Sequence, residues 1–302
     1  MPLDEAAAIA AELTPGFAVL EPADQLAPFV FCSPHSGRTY PSVLLESSRL
    51  DAHNLRKSED CYVDELFAGV AALGAPLLSA HFPRAYLDVN REPFELDPEL
   101  FGTELPTFAN GQSMRVAGGL GTIARIVADG EEIYREPPTL GAALQRIERL
   151  YRPFHAALDG LLQRTHARFG SAVLIDCHSM PSAAMGTSSQ ARPDFVIGDR
   201  FGASCEPRLT RLVRDQLSRA GYHVLLNRPY AGGFITEHYG RPTQGVHALQ
   251  IEINRALYLN ERSLVPTLGF KKLQADLMSL CRSLFAATPA LGPVLPRSAA
   301  AE

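Results

Sequence analysis

Histidines follow two short apolar runs of this sequence, at the point where each run ends. His35 lies in "FVFCSPHSG" and His178 lies in "VLIDCHSM". Ligands of open α/β sheets bind beyond the carboxyl ends of the strands, so these positions are favourable for chemistry. A lone histidine at a strand end is more often an ordinary polar group. Two of them, with a carboxylate and an open fourth position, predict a catalytic zinc site.

The third ligand is not supplied by a short-spaced HxxE motif, because Arg38 stands three residues after His35. The stretch "RKSEDCYVDELF" offers Glu59, Asp60 and Asp64 at the start of a predicted helix. Acids there could instead cap the helix and complement its dipole. Capping accounts for one or two acids, and four lie within residues 59–65, so we expect one of them to bind the metal.

Glu252 is embedded in the apolar run "ALQIEIN". Strand alternation places it on one face with Gln250 and Asn254. A buried carboxylate requires a partner or acquires a raised pKa, and both are typical of a general base or a metal environment. The alternative is an edge strand with one wet face.

Asp176 and His178 are two residues apart and therefore share a strand face. A carboxylate beside a metal-binding imidazole commonly orients the ring. We assign Asp176, together with Ser33 beside His35, to the layer of side chains around the ligands.

The stretch "PRAYLDVNREP" gathers Arg84, Asn90 and Arg91 around one predicted strand end. Arginine with asparagine can grip a carboxylate through charge-assisted hydrogen bonds, which predicts an acidic substrate. Pairing of the two arginines with Asp88 or Glu92 in a structural network is an equally good interpretation.

Strand-like runs that alternate with helical patterns must position these residues. The runs are "FVFCS", "APLLSA", "AYLDVN", "AVLIDC", "DFVIG", "HVLLN" and "ALQIEIN", and the helical patterns cover residues 59–73, 141–169, 205–220 and 266–286. This alternation predicts one α/β domain over residues 1–285 with a largely parallel sheet. Glycine and proline are frequent in residues 92–140, which predicts a loop or lid, and residues 286–302 are predicted to be a flexible tail.

Composition limits the partners. The formal net charge is −5 without a basic run, so nucleic acid is not an expected partner. No apolar run approaches the ~18 residues of a membrane span, so a membrane is not an expected partner either. Five widely spaced cysteines without a CxxC pair are typical of reduced thiols. We therefore expect a cytoplasmic protein that acts on a small molecule, and the sequence does not indicate its oligomeric state.

Seven motifs in order resemble the N-formylglutamate amidohydrolase (deformylase) family. They are "SPHSGRTYP", "SEDCYVDELF", "FPRAYLDVNREP", "YRPFH", "LIDCHSM", "DFVIGDRFGASC" and "NRPYAGGFITEHYGRPTQGVHALQIEIN", between residue 31 and about residue 260. The resemblance implies a zinc-dependent hydrolase with a three-layer α/β/α fold and a mixed, largely parallel sheet. That fold is shared with zinc carboxypeptidases and aspartoacylase.

The resemblance also implies roles for individual residues. His35 and His178 match the metal histidines of the family, and Asp60 matches its acidic ligand, with Glu59 as the alternative. Glu252 corresponds to the general base. The "DVNR" stretch is similar to the substrate-carboxylate and oxyanion region of aspartoacylase-type enzymes, which assigns oxyanion stabilisation to Arg84 and substrate binding to Asn90 and Arg91.

The implied reaction is hydrolysis of an N-formyl amino acid similar to N-formyl-L-glutamate, with release of formate. Three further residues are candidates for substrate contacts: Arg125 in the predicted lid, and Tyr239 and Arg241 in "EHYGRP". Fe²⁺ or Co²⁺ would suit the same ligands as Zn²⁺. The alternatives are a carboxypeptidase-like or other N-acyl amino acid or peptide amidase, and a metal-free binding protein for an acidic metabolite.

Overall fold

A computed structural model describes residues 4–127, 130–185 and 192–291 of the chain. It contains nine β-strands within these residues. They are β1 (Phe17–Leu20), β2 (Phe29–Ser33), β3 (Leu77–Ala80), β4 (Ala172–Met180), β5 (Phe195–Gly198), β6 (Val224–Leu226), β7 (Val246–Asn254), β8 (Leu259–Asn260) and β9 (Val265–Pro266).

Eleven α-helices lie in the same part of the chain. They are α1 (Glu5–Glu12), α2 (Ser42–Ser47), α3 (Ala52–Arg56), α4 (Val63–Phe67), α5 (Pro98–Phe101), α6 (Met114–Ala117), α7 (Leu140–Arg146), α8 (Arg152–Phe169), α9 (Pro207–Arg219), α10 (Phe234–Tyr239) and α11 (Gly269–Leu291). A π-helical segment, Ile147–Tyr151, joins α7 to α8.

Proximity of Cα atoms groups the chain into two compact units. The first comprises Met1–Ala18, Pro34–Cys61 and Ser79–Ala157, and the second comprises Val19–Ser33, Tyr62–Leu78 and Leu158–Glu302. The single domain over residues 1–285 stays a prediction. Helix α11 continues to Leu291, beyond the start of the predicted tail, and residues 292–302 of that tail lie outside the described residues.

The second unit is built on a seven-stranded sheet in the order β1-β3-β2-β4-β7-β5-β6, to which β1 and β3 contribute only in part. Strand β4 pairs in parallel with β2 and β7, and β5 pairs in parallel with β6. Strands β5 and β7 are antiparallel. The sheet is therefore mixed and largely parallel, as predicted.

Helices cover both faces of this sheet. On one face, Phe31 of β2 packs against Phe67 of α4 and Phe285 of α11. On the other face, Thr236 of α10 hydrogen-bonds to Asp176 of β4. Strands covered on both faces require nearly continuous apolar sequence, and this is why the runs of β2, β4 and β7 were recognisable. The three-layer α/β/α fold is confirmed.

The prediction of a strand at "AYLDVN" is wrong. The amides of Tyr86 and Leu87 donate to the carbonyl of Pro83, and the carboxylate of Asp88 accepts from the amide of Asn90 at 2.8 Å. These local bonds form turns in place of a ladder, because an aspartate side chain can satisfy the amide two residues ahead. The segment is an irregular loop of the first unit.

The first unit has a buried arginine among its helices. Arg146 of α7 is 2% exposed. Its guanidinium donates to Glu5 of α1 at 2.7 Å, to the carbonyl of Tyr86 at 3.1 Å and to the hydroxyl of Tyr134 at 3.2 Å. A buried charge needs such a set of partners, and this one ties α1 to α7. The described residues of the predicted loop region, 92–140, include the four-residue helices α5 and α6 and the first residue of α7.

All five cysteines are buried, and none of them forms a disulfide bond. In the second unit, burial, and after it the negative charge of Asp176, raise the pKa of the Cys32 and Cys177 thiols well above the usual value. No helix among the described residues is long and apolar enough to span a membrane.

Candidate active site

His35 follows β2 in a tight turn of the first unit and is 1% exposed. The turn passes directly beneath the segment around Phe82, because a Cβ atom on Gly37 would lie 2.0 Å from the carbonyl oxygen of Phe82. The amide of Asp60 donates to the carbonyl of His35 at 3.0 Å, and the hydroxyl of Ser36 donates to the carbonyl of Asp60 at 3.2 Å. These two hydrogen bonds thus place Asp60 beside His35.

Carboxylates flank both nitrogens of the His35 ring. Nε2 lies 2.7 Å from Oδ1 of Asp88, and Nδ1 lies 3.4 Å from Oδ2 of Asp60. A carboxylate on one ring nitrogen fixes the orientation of an imidazole that binds a metal through the other. Asp88 is suited to this orienting role, and Nδ1 is the atom that faces Asp60.

Asp88 is 3% exposed and stays ionised because of its neighbours. Its Oδ2 accepts a hydrogen bond from Nη2 of Arg84 at 2.8 Å and lies 3.6 Å from Nη2 of Arg91. Burial acts to raise the pKa of Asp88, but Arg91, His35 and Arg84 outweigh it and hold this pKa well below its usual value. Arg84 and Arg91 thus pair with Asp88, as the alternative of a structural network predicts.

Glu59 and Asp60 have different surroundings although they are adjacent and both 1% exposed. The carboxylate of Glu59 accepts from the hydroxyl of Tyr40 at 2.7 Å and from Nε of Arg56 at 3.0 Å. It is therefore neutralised by Arg56, whereas the carboxylate of Asp60 lies against the His35 ring. This difference favours Asp60 as the ligand.

The second unit presents Asp176 and His178 on the same face of β4, and Nε2 of His178 lies 2.9 Å from Oδ1 of Asp176. Neighbouring positions of β7 are in register, so Gln250 stands beside Asp176 and Glu252 stands beside His178. Strand β7 lies between β4 and β5, and Glu252 is 8% exposed. The alternative of a wet edge strand is therefore wrong.

Glu252 and Asp176 each have a polar neighbour that restrains the carboxylate. Nε2 of Gln250 donates to Oε1 of Glu252 at 2.9 Å. The hydroxyl of Thr236 donates to Oδ2 of Asp176 at 3.4 Å. The acidic groups on this face are thus held by strand register and by side-chain hydrogen bonds.

Three buried side chains, His35, Asp60 and His178, form a group that could hold a metal ion, since each offers a ligand atom and these atoms all lie within 4.8 Å of one another. Two imidazoles and one carboxylate are a donor set that zinc accepts, and an open fourth position is typical of catalytic zinc sites. The residues present therefore fit a metal of this kind.

Comparison with known proteins identifies the group of proteins in which this arrangement occurs. Residues 27–259 match the family model of N-formylglutamate amidohydrolase, which covers all the residues of the arrangement. The chain belongs to the N-formylglutamate amidohydrolase family. The resemblance recognised in the sequence motifs is confirmed.

Individual relatives support the family membership. The chain is 31% identical over 78% of its length to an N-formylglutamate deformylase of Pseudomonas aeruginosa, with 84% of that protein covered. It is 29% identical to an N-formylglutamate deformylase of Pseudomonas putida, over 78% of this chain and 82% of that one. The crystal structure of an N-formylglutamate amidohydrolase from Ralstonia eutropha JMP134 is similar, with a TM-score of 0.86, 36% identity and coverage of 91% of this chain and 99% of that chain.

The remaining predicted substrate residues of this N-formylglutamate amidohydrolase family member lie in different surroundings. Nε of Arg91 donates to the carbonyl of Leu120 at 2.7 Å, and Asn90 is 3% exposed beside it. Nε of Arg125 donates to Asp97 at 2.8 Å, and its Nη2 lies 3.2 Å from Glu99. Arg125 is thus engaged by two carboxylates of its own unit.

Tyr239 and Arg241 line a cavity of about 430 Å³ in the second unit, next to Val246 at the start of β7. Arg241 also forms a β-bridge with Val246. Glu252 stands six residues further along β7, which is about 20 Å at the usual rise of a strand. This distance separates Val246 from Glu252, and substrate contacts of Tyr239 and Arg241 stay predictions. Ser33 is fully buried at the end of β2.

Sequence reasoning missed two features of this family member. It did not assign Asp88 as the partner of His35, although an acid between Leu87 and Val89 carries the same signal as Glu252 between two isoleucines. It also assigned no role to the "YRPFH" motif. In the structure, Tyr151 and His155 of that motif bind the loop that carries Asp88.

Proposed function

We propose that this protein hydrolyses N-formyl amino acids, in particular N-formyl-L-glutamate, to formate and the free amino acid, with a bound zinc ion. The observation that carries the proposal is the buried group of His35, Asp60 and His178 in a member of this family, with Glu252 in register beside His178. Two relatives named N-formylglutamate deformylase support the choice of substrate class.

His35, Asp60 and His178 would hold the metal, with Asp88 and Asp176 as the carboxylates that orient the two imidazoles. A zinc ion on this donor set supplies a Lewis acid and lowers the pKa of water toward about 7. Fe²⁺ and Co²⁺ suit the same donors. Glu59 is the less favourable ligand because Arg56 and Tyr40 engage its carboxylate.

Glu252 is proposed as the general base. It would remove a proton from the attacking water and deliver it to the nitrogen of the leaving amine, as a positioned carboxylate does in general acid–base catalysis. Its place on a central strand and its bond from Gln250 fix the carboxylate for this transfer.

Arg84, Asn90 and Arg91 are proposed to recognise the negative charges of the substrate. Arg84 retains 24% side-chain exposure, so its guanidinium is accessible to the oxygen that gains charge during attack on the formyl carbon. Asn90 and Arg91 would hold the α-carboxylate through charge-assisted hydrogen bonds. Contacts of Arg125, Tyr239 and Arg241 with the substrate, and the cytoplasmic location, stay predictions.

The proposal is tested by measuring formate release and metal content on the same protein. The purified chain is assayed with N-formyl-Glu, N-formyl-Asp, N-formyl-Gln and N-formyl-Met, and with an acidic dipeptide as the alternative amide substrate. Elemental analysis is performed on the wild type, on His178→Ala and on His53→Ala, which replaces an exposed histidine of α3 and serves as the control.

We expect formate from N-formyl-Glu, one zinc per chain in the wild type and in His53→Ala, and loss of the metal in His178→Ala. Amino acids released from the dipeptide without formate would replace the proposal with a peptidase. Binding of N-formyl-Glu with neither metal nor turnover would replace it with a binding protein, and full metal in His178→Ala would refute the ligand assignment.

A further inference from the structure

The loop that carries Asp88 has an unusual means of support in the first unit. Three consecutive carbonyl groups are bound by side chains in place of backbone amides: Val89 by Nε2 of His155 at 2.9 Å, Asn90 by Nη1 of Arg91 at 2.8 Å, and Arg91 by the hydroxyl of Tyr151 at 2.6 Å. Buried carbonyls require such partners, so these donors determine the conformation of the loop.

Tyr151 and His155 come from adjacent turns of one helical segment. Their rings stack with centroids 4.3 Å apart and an interplanar angle of 30°. Tyr151 is 4% exposed and ends the π-helical segment Ile147–Tyr151, two residues before Pro153. Proline lacks the amide that would continue the regular ladder, and π turns often occur at functional sites. The helix is thus deformed at the residue that binds Arg91.

The supported loop in turn fixes a carboxylate. Oδ1 of Asp88 accepts from the amide of Asn90 at 2.8 Å and lies 2.7 Å from Nε2 of His35. Because the Asn90 amide and the bound carbonyls belong to the same three residues, a shift of these carbonyls would move Asp88 relative to His35.

We infer that Tyr151 and His155 are positioning residues: they hold the carbonyls of Arg91 and Val89 and thereby keep Asp88 aligned on the His35 ring. The role of this pair in metal binding rests on the proposed function, whereas its hold on the loop does not. The "YRPFH" motif therefore acts on the proposed metal ligand His35 through the loop that carries Asp88.

Four variants of the full chain test this inference. Tyr151→Phe removes one donor and keeps the ring, and His155→Leu removes the other. His155→Gln keeps a donor and is the rescue variant. His166→Leu is the matched control, because His166 lies on the same helix and its Nε2 binds the carbonyl of Gln244 at 3.0 Å, in the second unit.

Two readouts are measured. Hydrogen exchange, followed by mass spectrometry, reports protection of the amides in residues 87–92 and does not depend on metal or turnover. Competition with a chelating indicator gives the affinity for Zn²⁺. Removing a residue that orients a metal ligand weakens metal affinity by about 10- to 100-fold, and we expect the lower end, about tenfold, for an indirect effect.

We expect Tyr151→Phe and His155→Leu to exchange faster at residues 87–92 and to bind zinc about tenfold more weakly. His155→Gln is expected to stay near the wild type, and His166→Leu to match it in both readouts. Unchanged exchange in both Tyr151→Phe and His155→Leu would overturn the inference. So would an equal change in His166→Leu, or failure of His155→Gln to restore protection.

The outcomes separate this inference from the proposed function. If the wild type binds no zinc and releases no formate, the proposed function fails, and hydrogen exchange alone still decides whether the pair holds the loop. If zinc binds and the exchange changes without any loss of affinity, the pair holds the loop but does not position the ligand, and the inference is refuted.

Discussion

The loop around Asp88 and the end of strand β4 perform the same task by different physical means. Each presents a buried carboxylate to a buried histidine, at 2.7 Å for Asp88 and His35 and at 2.9 Å for Asp176 and His178. Strand β4 places its residues through ladder bonds to β2 and β7. The loop is held by hydrogen bonds from the side chains of Tyr151 and His155 and by two arginines that pair with Asp88. Regular strand pairing fixes the position of a residue through backbone hydrogen bonds, whereas an irregular loop requires hydrogen-bond donors from side chains elsewhere in the chain.

The largest expected effect concerns the strand-held region. Glu252→Gln should lower kcat by about 10²- to 10⁴-fold, because the amide cannot accept the proton that a general base removes. Metal content should be unchanged. Steady-state formate release and elemental analysis measure both quantities.

Glu237→Gln is the control for that substitution, since Glu237 lies on α10 with 56% side-chain exposure and pairs with Arg200. Activity of Glu252→Gln close to that of Glu237→Gln would remove Glu252 from the mechanism. It would also show that register beside His178 does not identify a catalytic group.

A direct comparison of the two carboxylates comes next. Asp88→Asn should lower the free energy of unfolding by about 3 kcal/mol, because it leaves Arg91, which is 9% exposed, without its carboxylate. Asp176→Asn removes no partner of a buried arginine, so we expect its free energy of unfolding to fall by only about 1 kcal/mol. Urea denaturation of both variants in the presence of a chelator measures the difference. Equal losses, or a larger loss for Asp176→Asn, would contradict the distinction between the two regions.

Sequence reasoning succeeded where the sheet determines position. Strands β4 and β7 were visible as apolar runs, and alternation alone placed Asp176 beside His178 and Glu252 on a common face with Gln250. The same reasoning failed at "AYLDVN", because the Asp88 carboxylate binds the amide of Asn90 and forms a turn. Tyr151 and His155, which bind that loop, are far from it in sequence, and no local pattern reports such long-range bonds.

The choice between Glu59 and Asp60 also depends on contacts that no local sequence pattern reports. Both acids occupy equivalent places in the sequence pattern, and only the contacts of Tyr40 and Arg56 with Glu59 separate them. Composition and spacing do not encode which of two adjacent acids is neutralised by an arginine. Family resemblance indicated Asp60, and the metal-capable group contains that residue.

A glycine in the irregular region gives a smaller effect. Gly37→Ala should destabilise the protein by about 2 kcal/mol, the range for overpacking, because the added Cβ would lie 2.0 Å from the Phe82 carbonyl oxygen. Displacement of the turn should also weaken zinc binding through His35. Thermal or urea unfolding and zinc titration measure the two effects. Wild-type stability would show that the turn after β2 can relax.

The smallest effect is expected in a regular helix. Gly160 lies inside α8, and a Cβ atom there would meet nothing within 4 Å. Gly160→Ala should therefore stabilise the protein by about 1 kcal/mol, the difference in helix propensity between the two residues. The same unfolding measurement tests it, and a loss of stability would indicate an unrecognised contact at this position.

Because all five thiols are buried, their reaction with an added reagent reports local opening of the folded protein. A thiol must reach solvent before it reacts with a disulfide reagent, and burial suppresses this step in the folded chain. The rate of labelling under native conditions therefore measures transient exposure of Cys61 in the first unit and of the other four cysteines in the second. Resolving the modified positions by mass spectrometry would show which unit opens first, without any probe being added to the chain.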